Sequence, residues 1–133
     1  MKVYYAHAIV TYKTSIEKQE IYKIKKFIPK AQITNPAKFQ TSQSLFRGME
    51  FYFKLIDECE TVIFTRYKNK ITTGVGKEVN YAIKKGITVY ELNGSKLRKV
   101  KKSVRYITRT MTRRLYGWTS SPNVTQKIFN DNV

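Results

Sequence analysis

Few residues in this 133-residue chain can do chemistry. There is one histidine, one cysteine and only nine acids. The acid in the most suggestive setting is Glu78, within TTGVGKEVNYAIKKG (72–86), where two glycines precede a helix-forming run. A carboxylate at the start of a helix is favoured by the dipole whether or not it reacts. It is also the group that can stabilise, and then bond to, a cation-like carbon. A helix starting near Lys77 would leave free N–H groups over Thr73, Gly74, Val75, Gly76 and Lys77. With glycines allowing positive φ and close approach, that is a seat for an anion or a phosphate as well as an ordinary tight turn. His7 follows the first apolar run and can be a catalytic assistant or a structural histidine. The lone Cys59 forms no internal disulfide, and the scattered acids offer no ligand cluster for a metal, so neither a metal nor another cofactor is expected.

The elements that must position these residues alternate. VYYAHAIV (3–10) is a short apolar, β-rich run expected as a strand covered on both faces. Ser15 is a candidate cap for a helix carrying Ile21, Ile24 and Ile28 on one face. AQITNP (31–36) is a weaker strand followed by the polar loop AKFQTSQS. GMEFYFKLIDECE places Met49, Tyr52, Phe53 and Ile56 on one helical face, TVIFT (61–65) is a third strand, KEVNYAIKKG a helix stopped by Gly86, and ITVYEL (87–92) a fourth strand. Such alternation predicts a single-domain α/β, flavodoxin-like, doubly wound sheet, mainly parallel, with four to five strands and an order such as 2-1-3-4. Ligands of such sheets bind outside the carboxyl ends of the strands. The loops after strands 1, 2 and 3 therefore converge on one candidate pocket, with Arg66, Lys68 and Lys70 of RYKNK at its rim, which suits a phosphate.

The expected core spans 1–93, and 94–133 forms a basic extension packing on the core or on a partner subunit. From 96 to 114 there are nine Lys and Arg and no acid. Leu97, Val100, Val104, Ile107, Met111 and Leu115 recur at helical spacing, so one reading is a long amphipathic helix. The other, favoured by the β-branched content, makes KLRKV a strand and starts a short helix near Thr108. The whole chain carries 26 Lys and Arg and a net charge of +17. A field of that size attracts polyanions, although the abundance of Ile, Lys, Tyr and Asn also matches an AT-rich coding sequence. No apolar run approaches the roughly 20 residues that span a bilayer, so no membrane insertion is expected, and the default location is the cytoplasm.

VYYAHAIVTY, IDECETVIFTR and TTGVGKEVNYAIKKGITVYEL, taken in order over residues 3–92, resemble the nucleoside 2-deoxyribosyltransferase family and its nucleotide N-glycosidase relatives. The resemblance implies a homo-oligomer, a nucleoside or nucleotide ligand, and a glutamate that attacks the anomeric carbon, with Glu78 in that role. It implies Tyr5 and His7 around the sugar, and Arg66, Thr73, Gly74, Val75, Gly76 and Lys77 around a phosphate. Relatives also carry acids on the helix before strand three and shortly before the glutamate; the matching positions here are Tyr52 and Thr72, and Glu50 replaces them only with a local shift. The chain therefore departs from a standard transferase. The alternative is a catalytically inactive protein that binds nucleic acid through its basic tail, with Tyr106, Tyr116 and Trp118 stacking on bases.

Overall fold

The computed structural model describes residues 1–40 and 47–118. Part of the expected polar loop and the tail from 119 onward lie outside the described residues. The chain runs β1 (Lys2–Ala6), α1 (Ser15–Phe27), β2 (Gln32–Thr34), α2 (Met49–Asp57), β3 (Thr61–Phe64), α3 (Thr73–Lys84), β4 (Thr88–Asn93), β5 (Lys96–Val100) and α4 (Arg109–Tyr116), with 3₁₀ turns at Ile9–Thr11 and Pro36–Phe39. The sheet has the order 2-1-3-4-5. Its first four strands are parallel and β5 is antiparallel to β4. This is an α/β architecture consistent with a flavodoxin-like fold.

Strand alternation sorts the core into two layers. Tyr4 and Ala6 of β1 join Val62 and Phe64 of β3 and, from α2 and α3, Ile56, Val75, Val79 and Ala82. Val3 and Tyr5 point the other way, with Ile63 and Leu92, against Ile24 of α1. Helices thus cover both faces, and each fully buried aliphatic side chain contributes about 1.5–3 kcal/mol by leaving water. Among the described residues no helix is long and apolar enough to cross a membrane.

Several boundaries differ from the sequence reading. The first apolar run is a strand only to Ala6; beyond it Thr11 folds back, its hydroxyl donating to the Ala8 carbonyl at 2.7 Å, and a 3₁₀ turn forms. The residue before α1 is Thr14 rather than Ser15, and its hydroxyl bonds Thr11 instead of capping the helix. α3 begins four residues earlier than Lys77, so Gly74 and Gly76 lie inside it with no positive φ. The segment KLRKV is a strand, joined to β4 by the two-residue turn Gly94–Ser95 with Gly94 at φ +61°, the left-handed conformation such hairpins require. The short helix that follows is α4, capped by Thr108, whose side chain accepts from the Met111 N–H.

Candidate active site

β1 ends in the middle of the sheet beside β3, and α3 starts just beyond the end of β3. Together they form a cleft lined by His7, Ile9, Tyr12, Tyr52, Thr72, Gly74, Val75, Glu78 and Tyr116. Its closed part has about 10 Å³ of room, enough for about one water. Glu78 sits one turn into α3, on the face that Val75 and Val79 turn toward the sheet, and is 7% exposed. The Tyr4 hydroxyl donates to Glu78 Oε2. No Lys or Arg lines the cleft among the described residues. Burial with no cation beside it pushes the Glu78 carboxyl up to about 8, against a partial lowering by the Tyr4 hydrogen bond. A carboxyl raised to about 8 is mostly protonated at neutral pH.

The walls are phenolic. Burial, followed by the charge of Glu78, raises both Tyr4 and Tyr12 well above the ordinary tyrosine range. Tyr116, from α4, lines the cleft as well, and burial pushes its phenol up to about 12. Thr72 Oγ1 and the Tyr116 hydroxyl are both buried. Hydrogen-bonding contacts from Thr72 and the Ile9 backbone partly lower the Tyr116 phenol, yet neither Thr72 Oγ1 nor the Tyr116 hydroxyl completes a hydrogen bond of ordinary geometry. Two unfilled buried hydroxyls facing one small cleft are the kind of group a ligand satisfies.

His7 lines the cleft with both nitrogens committed. Nδ1 lies 3.0 Å from the Tyr5 carbonyl and Nε2 lies 2.7 Å from Glu17 Oε2. Burial acts to raise Glu17, but the hydrogen bond and charge of His7 outweigh it and hold the carboxyl below its usual range. The ring stacks on Tyr5 with centroids 3.7 Å apart. His7 therefore shapes the wall and presents no spare nitrogen.

The structure brings together Glu78, His7, Tyr52, Thr72, Gly74 and Val75, and leaves out Tyr5, Glu50, Arg66, Lys68, Lys70, Thr73, Gly76 and Lys77. Tyr5 falls on the opposite face of the sheet, where its hydroxyl donates to Glu20; one residue of register decides this. Arg66 is drawn to Glu91, with Nε 2.6 Å from Oε2, while Arg98 holds Oε1 at 2.8 Å. It lines a separate depression of about 290 Å³ with Lys68, Glu20 and Glu91. Lys68 and Asn69 form a tight turn with φ 48° and 65°, closed by reciprocal Tyr67 and Lys70 backbone bonds of 2.9 Å. The rim cations thus do not line the Glu78 cleft. Thr73 is covered by the C-terminal segment: its N–H donates to Thr112 Oγ1 at 3.2 Å and its hydroxyl to the Ile107 carbonyl at 2.7 Å. The Gly76 N–H is spent on the Thr72 carbonyl inside the helix, and Lys77 follows it along α3. Only Gly74 and Val75 remain of the expected anion seat. Glu50 is exposed on α2, near Arg47 and Lys54, and brings no acid to the cleft.

Sequence reasoning missed Tyr4, Tyr12 and Glu17, and gave Tyr116 only as a base-stacking residue of the basic tail. The alternation of β1 carried the signal for Tyr4, which must lie on the face opposite Tyr5. Nothing local announced Tyr116, which reaches the cleft only because α4 folds back over the α3 N-terminus. Among the described residues no group of His, Cys, Asp and Glu could hold a metal ion. Comparisons with protein-family models, with curated proteins and with solved structures return no match to this chain.

Proposed function

We propose that the Glu78 cleft binds a nucleoside and acts on its N-glycosidic bond, with Glu78 as the carboxylate that meets the anomeric carbon. The observation that carries this reading is the state of Glu78, a buried carboxyl raised to about 8 with no cation near it. The anion of such a group is high in energy and strongly basic. Positive charge developing beside it stabilises it, and the anomeric carbon of a nucleoside losing its base develops that charge. The C1′–N bond breaks with its electron pair leaving on the base, Glu78 bonds to C1′, and water later cleaves the ester.

The same environment favours a neutral nucleoside over a nucleotide. A phosphate would raise Glu78 further, and only the Gly74 and Val75 end of α3 would face it. Tyr12, Tyr52 and Tyr116 offer ring faces and hydroxyls to a base or a sugar. Raised phenols hold their protons too tightly to supply one to the departing base at neutral pH. Turnover is accordingly slow, and fastest with a leaving group that needs no proton. The flavodoxin-like, doubly wound reading of the sheet supports this location, since ligands of such sheets lie at the carboxyl ends of the strands. Tyr116 must swing outward to admit a nucleoside. The homo-oligomer implied by the family resemblance belongs to the same proposal, and sedimentation reads it.

The test is release of base from 2′-deoxynucleosides and of nitrophenol from a 4-nitrophenyl deoxyribofuranoside. The nitrophenyl compound should react faster, kcat/KM should rise with pH to a plateau above about 8, and Glu78→Gln should abolish both reactions. Equal rates in Glu78→Gln, or calorimetry showing no nucleoside binding by the wild type, would refute the reading.

A further inference from the structure

We propose that the surface beside the cleft, built from the 66–71 turn and residues 105–115, is a track for single-stranded nucleic acid with Tyr106 as its stacking platform. The ring of Tyr106 is seated on the backbone of α3. A Cβ added to Gly76 would lie 2.2 Å from Tyr106 Cδ1 and 2.5 Å from its Cβ, so glycine at 76 is what lets the Tyr106 side chain approach the helix this closely. The segment carrying the ring is bolted down on both sides. Asn80 clamps Val104, donating from Nδ2 to its carbonyl at 3.0 Å and accepting its N–H at 2.7 Å. On the other side the Ile107 N–H donates to the Ile71 carbonyl at 3.0 Å, and the Thr73 hydroxyl to the Ile107 carbonyl at 2.7 Å. Yet Tyr106 remains 41% exposed. An aromatic side chain held against the helix on an anchored backbone, and still partly exposed, is pre-organised for stacking, and little freedom is left to lose on binding.

Cations flank this platform. One depression of about 240 Å³ is lined by Lys70, Arg105 and Tyr106, together with Arg66. A second, of about 310 Å³, runs from Lys70 past Met111 to Arg114. They share Lys70 and Ile107 as a common wall, so they form one path, and no acid lines either among the described residues. Arg66 is already neutralised by Glu91, while Lys70, Arg105 and Arg114 are exposed. A negatively charged, linear ligand with π faces fits this arrangement. A duplex hides its base faces and gains nothing from Tyr106. A lipid bilayer would engage Met111, which is 49% exposed, and would not use a stacking platform. The inference uses none of the Glu78 chemistry and stands or falls separately from it.

The experiment is fluorescence anisotropy of the full chain with a labelled oligo-dT of about 12 nucleotides, against a duplex of equal length and vesicles of phosphatidylserine and phosphatidylcholine. We expect the single strand to bind tightest. Tyr106→Ala should weaken it on the order of tenfold, Tyr106→Phe should retain it, and Glu78→Gln should leave it unchanged. Three phosphates held by Lys70, Arg105 and Arg114 give a log-log salt slope of about −2, which the triple Gln variant should flatten. Circular dichroism melting checks the fold of Tyr106→Ala, and the Phe and surface Gln variants carry the test if that protein is unstable. Equal affinity in Tyr106→Phe and Tyr106→Ala with an unchanged slope in the triple variant would overturn the proposal. Tighter binding to the duplex or to the vesicles would also overturn it.

Discussion

The raised carboxyl of Glu78 makes stability depend on pH in a calculable way. An unfolded glutamate titrates near 4.5, and the buried one near 8. Between these values the unfolded chain has released a proton that the folded chain keeps, so unfolding free energy falls as pH rises, by about 1.4 kcal/mol for each pH unit. The contribution is fully present below about 4.5, is lost across the window up to about 8, and is flat above it. The total is on the order of 4 to 5 kcal/mol, a large share of the 5–15 kcal/mol typical of whole domains. Glu78→Gln keeps the shape of the side chain and removes the proton. Urea denaturation of both proteins from pH 4.5 to 9 isolates the effect, because the His7–Glu17 pair and the other titrating groups are common to both and cancel in the difference. The wild type should lose about 4 kcal/mol relative to the variant, most steeply between pH 5 and 8. A difference that stays flat across this range, or that rises with pH, refutes the claim that Glu78 is buried without a compensating charge.

Tyr4→Phe removes the one donor that lowers Glu78, so the carboxyl should titrate higher still, read from its ¹³C shift; an unmoved or lower value contradicts the assigned contact. Glu91 is 3% exposed; burial acts to raise its carboxyl, but the hydrogen bonds and charges of Arg66 and Arg98 outweigh this and hold it below the usual range. Glu91→Gln should cost about 3 kcal/mol in urea melts, whereas Arg98→Gln, at the exposed end of the triad, should cost under about 1 kcal/mol. Because Glu91 is lowered, its contribution is present above the ordinary carboxylate range and lost on acidification below it. Gly76→Ala should destabilise the wild type by about 1–3 kcal/mol through collision with Tyr106. In a Tyr106→Gly background, which also removes the Tyr106 Cβ that would lie 2.5 Å away, it should instead stabilise by about 1 kcal/mol, because alanine favours the helix. The same sign in both backgrounds would rule out the packing account.

The alternation of apolar runs and amphipathic segments was enough to read an α/β sheet of four to five strands in the order 2-1-3-4. Strands and helices bury their faces at different periods, and that pattern is written locally. The conjunction of a β1 end, a β3 end and Glu78 followed from the same topology, and His7, Tyr52, Thr72, Gly74 and Val75 line the same cleft as Glu78. What residue order could not convey was where side chains go when two partners compete. Arg66 was free to sit at the cleft until β4 set Glu91 beside it and β5 set Arg98 opposite. Tyr5 and Tyr4 were interchangeable until pleat and register assigned one to each face. The glycines of GVG suggested close approach to a ligand, and Gly76 in fact makes room for Tyr106, thirty residues away in sequence. Tyr116 became a wall of the cleft only because α4 packs over the start of α3, a contact that depends on the hairpin at Gly94 turning the chain back. The period of a sequence determines which face of an element is buried; only the packed structure determines what that face meets.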